Sequence, residues 1–167
     1  DVLGGREIKN GSGINKWVDK SGNNRHAIAT DTNNTAILTK QKYLNSSAVT
    51  FNGRNVYSVN YPGFKGREYT IFSLHKLNNP TGYQRVIHGS HQDGVIFIGS
   101  LHSKLATFTG NGGWRDVNAT NPEIQSTQTW RLVAVVVKPT KDDGSGGPTL
   151  STYVDGVLVE QKDGLTR

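Results

Sequence analysis

The sequence predicts an all-β fold of two antiparallel sheets packed as a sandwich, and three observations carry that expectation. Gly, Pro, Asn, Asp and Ser punctuate the 167-residue chain every roughly eight to twelve residues, the rhythm of strands joined by turns. The segments between these breakers are short and rich in β-branched or aromatic residues, which suits strands better than helices. Asp155-Gly156 separates two such segments, and Asp-Gly is a dipeptide that a type I′ hairpin turn demands, because both central residues need positive φ.

Asp1–Gly13 reads as an opening loop. Strands are then expected at His26–Thr30, Ala48–Phe51 and Val56–Val59, each set off by Asn- and Gly-containing breakers. Tyr69–Lys76 and Trp130–Lys138 carry the clearest signals: Tyr69-Thr70-Ile71-Phe72-Ser73-Leu74 and Arg131-Leu132-Val133-Ala134-Val135-Val136-Val137 are expected in the core. Between them fall Gln84–Gly89, Gly94–Gly99 and Lys104–Thr109. Leu150–Val154 and Val157–Lys162 are the arms of the Asp-Gly hairpin. Pro139–Pro148 has the composition of an exposed loop, and because it lies between two strong strands it is read as a loop rather than a linker.

A chain of this length buries about two-thirds of its unfolded surface, so one domain spanning 1–167 is expected. No apolar stretch approaches the ~18 residues needed to cross a bilayer, so no membrane insertion is expected. With no Cys, the chain has no disulfide scaffold, thiolate metal site or cysteine nucleophile. The chain also lacks Met, with which a natural chain begins, and this favours a piece of a longer polypeptide.

Trp17-Val18-Asp19-Lys20-Ser21-Gly22-Asn23-Asn24-Arg25-His26-Ala27 resembles the W-x-D-x-SGN-x-x-H-A signature of concanavalin A-like, laminin-G-like jelly-roll domains. Further blocks follow in the family's order. Val49-Thr50-Phe51-Asn52-Gly53 is similar to an F-x-G strand end, Tyr69-Thr70-Ile71-Phe72 to a core strand, and Trp130–Val137 with Tyr153-Val154-Asp155-Gly156 to the late hairpin. The resemblance implies a jelly-roll sandwich, commonly with its first strand paired to its last. It also implies a strand before Asp1–Gly13 and a segment after Leu165 that this sequence lacks, which again suggests terminal strands beyond the given chain. As implied function it offers two alternatives. One is a non-catalytic carbohydrate-binding or adhesion module of a secreted, cell-surface or virion-surface protein. The other is a structural or assembly domain of a surface or capsid-associated protein with no glycan ligand, whose partners are neighbouring subunits or other domains of the same polypeptide.

Candidate residues sort as follows. Asp19-Lys20-Ser21-Gly22-Asn23 offers ion-binding oxygens, but Asp and Asn bonding nearby amides around Gly22, with Trp17 packed beneath, makes a structural corner the better reading, and His26 fits it. A retaining glycosidase needs two carboxylates about 5 Å apart on one strand face. None of Glu7, Glu68, Glu123 and Glu160 has an acidic residue two or four positions away. Gln84-Arg85-Val86-Ile87-His88 superficially offers a lyase-like Arg and His, but their spacing puts them on opposite faces of a regular strand. No enzyme is therefore expected. Gly110-Asn111-Gly112-Gly113 lacks the lysine and the strand-to-helix context of a phosphate loop.

The favoured site is a pair of loops at one rim. His91-Gln92-Asp93-Gly94 and Asn111-Gly112-Gly113-Trp114-Arg115-Asp116 combine carboxylates, amides, an arginine and a tryptophan. An aromatic face suits the C–H side of a sugar ring, and planar polar groups suit its hydroxyls. Asp93, Asn111, Trp114, Arg115 and Asp116 are therefore the expected ligand-binding residues, with Asp93 and Asp116 the anchors for calcium if it binds. The net charge of +6 and pI near 9.6 come from scattered cations without a stripe or an RNA-binding aromatic strand. They favour an anionic polysaccharide or an acidic neighbour over nucleic acid. Sequons stand at Asn10, Asn33, Asn45 and Asn118.

Overall fold

In a computed structural model of the chain, residues 2–3, 6–7, 9–41, 46–61, 68–78, 84–89, 96–101, 104–109, 129–138 and 149–162 are described. They form fourteen strands and, among the described residues, no helix: β1 Val2–Leu3, β2 Arg6–Glu7, β3 Lys16–Trp17, β4 Ala27–Ala29, β5 Ile37–Gln41, β6 Ser46–Thr50, β7 Tyr57–Ser58, β8 Tyr69–His75, β9 Gln84–His88, β10 Ile96–Leu101, β11 Lys104–Thr109, β12 Arg131–Lys138, β13 Thr149–Val154 and β14 Val157–Lys162. Every strand pairing is antiparallel. The chain divides into two compact units, residues 1–62 and 63–167.

The first unit has a β1-β2 pair, a three-stranded sheet ordered β3-β4-β7 and a β5-β6 hairpin. Its buried apolar residues are Ile14, Ala29, Ala36 and Leu38. Backbone bonds lace residues 11–14 to 36–38: Gly11 N donates to Leu38 O at 2.8 Å, Leu38 N to Ser12 O at 3.0 Å and Ile14 N to Ala36 O at 2.9 Å. The return bond from Ala36 to Ile14 is not direct. Ala36 N donates instead to the Tyr57 hydroxyl at 3.1 Å, and that hydroxyl donates to Ile14 O, so one side chain relays a missing ladder bond. Gly13 sits in this seam, where a Cβ would lie 2.5 Å from Thr35 Oγ1; no larger residue fits without displacing Thr35.

The second unit is built of two sheets, β14-β13-β12-β8 and β11-β10-β9. Ile98 and Leu105 from the smaller sheet share a core with Val133, Val135, Val137, Leu150 and Val154 from the larger, with Tyr69, Ile71, Ile87 and Val159 packed against it. The sheets therefore meet face to face. β12 shows why: alternate positions of a strand point the same way, and Val133, Val135 and Val137 are the buried set. One polar pair crosses the core, Thr107 Oγ1 and Thr152 Oγ1 at 2.8 Å, and each hydroxyl satisfies the other's buried hydrogen-bonding need.

The Asp-Gly hairpin forms as expected. Val154 pairs with Val157, and Asp155 and Gly156 have φ of 51° and 86°. The Asp155 carboxylate also reaches across to β12, accepting from Arg131 Nη1 at 2.7 Å and Leu132 N at 2.9 Å. Partial burial pushes its pKa up, but those two hydrogen bonds and the Arg131 charge outweigh it and hold the carboxylate below its usual value.

Four expectations need correction. The opening loop contains the β1-β2 pair, so the first strand pairs with the second. β3 and β5 were not expected from the pattern. Tyr69–His75 is half in the core: Ser73 faces inward, whereas Phe72 is 69% and Leu74 61% exposed. Trp17 is likewise more than two-fifths exposed, so it is not sealed beneath the 19–26 corner. Pro139–Pro148 lies outside the described residues.

Candidate functional site

The register of the smaller sheet fixes one rim. His88, the end of β9, pairs with Phe97, and Ile96, the start of β10, pairs with Thr109, the end of β11. The connection from β9 to β10 and the segment that follows β11 therefore leave from the same end of the sheet, from strands that flank β10 about 10 Å apart. Asp93 belongs to the first of these in sequence, and Asn111, Trp114, Arg115 and Asp116 belong to the second. These five residues, with His91-Gln92-Asp93-Gly94 and Gly110–Gly113 as a whole, lie outside the described residues.

β9 is not a regular strand. Ile87 pairs with Ile98 but Arg85 pairs with Gly99, so the ladder shifts by one and Val86 is the extra residue of a bulge. Phe97 and Gly99 lie on one face of β10, so their partners His88 and Arg85 also share a face. This overturns the expectation that Arg85 and His88 point apart. Both are exposed, while Ile87 packs on the core. The three-residue spacing is opposite-facing only in an unbulged strand, and a bulge is set by the partner's register, which local sequence does not show. Gln84, opposite Ser100, falls on the other face.

The Asp19 loop is the structural corner that the sequence suggests. Asp19 Oδ1 accepts from Ser21 N at 2.8 Å, and Oδ2 accepts from Ser21 Oγ at 2.8 Å and Arg25 N at 3.0 Å. Asp19 N in turn donates to His26 Nδ1 at 3.0 Å. Gly22 and Asn24 supply the positive φ, 83° and 56°. Backbone and side-chain bonds from Ser21, then the Arg25 amide, lower the Asp19 pKa from 3.8 to about 2. The carboxylate is spent on its own loop and offers little to an external ion.

Ser73 Oγ and His75 Nδ1 are 3.0 Å apart, and burial pushes the His75 pKa down, a hydrogen bond with Ser73 opposing it. Both residues lie on β8, the edge strand of the four-stranded sheet, which pairs with β12 from Tyr69 to His75. The Arg25 guanidinium lies 5.1 Å from the centre of the Tyr61 ring, a surface cation–π contact. Among the described residues, no group of three His, Cys, Asp or Glu could hold a metal ion. Of the sequons, Asn10 spends its Oδ1 on Lys40 N at 2.9 Å and Asn33 lies in the exposed turn begun by Asp31; Asn45 and Asn118 lie outside the described residues.

No protein-family model matches the chain, and no curated protein or solved structure matches it either.

Proposed function

We propose that this chain is a non-catalytic carbohydrate-binding or adhesion module on a laminin-G-like jelly roll, working at an extracellular, cell or virion surface. The observation that carries the reading is the common rim. Two loop segments rich in sugar-recognising residues leave the smaller sheet from the same end, one joining β9 to β10 and the other following β11. Trp114 offers a ring face; Asp93, Asn111, Arg115 and Asp116 offer hydrogen bonds. The bulge adds Arg85 and His88 to the outer face beside that rim, a cation and an imidazole suited to a sugar carboxylate or sulfate. The chain's net charge of +6 draws the same class of ligand. Calcium held by Asp93 and Asp116 belongs to this proposal as an auxiliary: a chelator then weakens binding.

A glycan array tests it. Wild-type chain is expected to retain acidic glycans, and Trp114→Ala and Asp93→Ala each to lose at least tenfold in signal. The alternative, an assembly domain without a glycan ligand, predicts an empty array. Binding that is indifferent to both substitutions removes the rim from the account.

A further inference from the structure

The outer side of the four-stranded sheet is apolar as well as the inner. Pairing sets Phe72, Ala134, Tyr153 and Leu158 in a single row across β8, β12, β13 and β14. Leu74 and Leu132 form the neighbouring row on one side, and Thr70, Val136 and Ser151 the row on the other. Phe72, Leu74, Leu132 and Leu158 all stand among the exposed large hydrophobic residues. The Phe72-to-Leu158 row holds no charged residue, although the chain has 19 Lys plus Arg and 13 Asp plus Glu; the Leu74–Leu132 row meets a charge only at its β13 end, where Asp155 is paired to Arg131. Single exposed leucines are ordinary, but an uncharged row across four strands, flanked by Leu74, Leu132 and Val136, marks an interaction surface.

We propose that this face docks on the same face of a second copy of the chain, forming an isologous dimer about a two-fold axis parallel to the strands. The order of side-chain sizes along the row argues for this occupant. With the axis between β12 and β13, each Tyr153 ring lies over Ala134 of the second copy, and each Phe72 over Leu158 of the second copy. Large meets small twice at the centre, and apolar meets apolar twice at the flanks. In the next row Val136 lies over Ser151, again a larger side chain over a smaller one. An axis perpendicular to the strands would set Tyr153 on Tyr153 and Ala134 on Ala134, a clash beside a gap. The stacking distance of about 10 Å for packed sheets leaves room for one interdigitated layer.

Area sets the strength. Four strands about 4.8 Å apart and about five residues of ~3.3 Å each give a face on the order of 300 Å² in plan. Side-chain relief raises this to roughly 500 Å² of accessible surface per copy. A pair then buries about 1,000 Å², near the lower bound for a specific interface and in the range of transient ones. A dimer dissociating at micromolar concentrations is the expected strength, and it is independent of the glycan rim.

Sedimentation equilibrium of the whole chain over a concentration series reads the association. Wild type is expected to show a monomer–dimer equilibrium. Ala134→Tyr and Phe72→Lys should each weaken it at least tenfold, with unchanged circular dichroism confirming the fold. The double exchange of Ala134→Tyr with Tyr153→Ala inverts large and small and should restore the dimer. A monomer at the highest soluble concentration overturns the proposal. So does a dimer indifferent to both single variants, or a double exchange that fails to restore association.

Discussion

Replacing Tyr57 by Phe removes one oxygen and keeps the ring, which packs edge-to-face on Phe51 with centroids 5.6 Å apart. The hydroxyl is the relay between Ala36 N and Ile14 O, and those two residues are 1% and 2% exposed. Without it, a buried N–H and a buried C=O both lose their partner. Each unsatisfied buried group costs about 1–3 kcal/mol, so the pair should cost about 2–6 kcal/mol, a large fraction of the 5–15 kcal/mol typical of a whole domain. The loss should be local to the seam between residues 11–14 and 36–38. Hydrogen exchange of the Ala36 amide should therefore accelerate by about 30-fold to about 25,000-fold, at 1.36 kcal/mol per factor of ten. Urea denaturation followed by circular dichroism supplies the equilibrium value, and Tyr57→Leu, which also removes the ring contact, should cost more. If Tyr57→Phe is within about 0.5 kcal/mol of wild type and Ala36 exchanges at its original rate, the relay carries no energy and the reasoning is wrong.

Two further predictions concern carboxylates. At the hairpin, Asp155→Asn should cost under about 1 kcal/mol, because Asn tolerates positive φ and an exposed ion pair is worth little. Asp155→Ala should cost about 1–2 kcal/mol through the left-handed backbone and the lost bond to Leu132 N. Equal thermal melting of the two variants would show that the turn conformation is not what Asp155 provides. At the 19–26 corner, the folded pKa of about 2 lies below the ordinary 3.8, so the loop's stabilisation is complete above that ordinary value and is lost as pH falls through about 2. Protection of the Ser21 and Arg25 amides, taken relative to their intrinsic exchange rates, should fall across that acid window and nowhere above it; loss of protection near neutral pH would contradict the assignment.

How far the sequence could be read depended on whether each element's cause was local. Lys104–Thr109 and Val157–Lys162 have the predicted bounds, and Asp155-Gly156 turns as the dipeptide requires, because turn chemistry and β-branched runs act over a few residues. β5 shows no alternation in sequence, because Ile37 and Leu38 are both apolar and Thr39 and Lys40 both polar, although Leu38 is buried and Ile37 exposed. β1, β2 and β3 span two residues each and carry no period to detect. Both faces of β8 are apolar, so its sequence alone could not show that Phe72 and Leu74 lie outside the core. The shared face of Arg85 and His88 follows from how β10 pairs with β9, a fact about a partner strand. The rim has the same origin: Asp93 and Asn111 are separated in sequence, and antiparallel registry starts their segments from one end.

The proposed site for acidic glycans is the rim where β9 ends, β10 begins and β11 ends. Its most direct test is amide chemical-shift mapping on the whole chain during titration with a heparin-derived oligosaccharide. Shifts are expected to concentrate at His88, Ile96 and Thr109 and to spare Gln84, Leu101 and Lys104 at the opposite end of the same sheet. Shifts centred on that opposite end, or none at saturating oligosaccharide, contradict it.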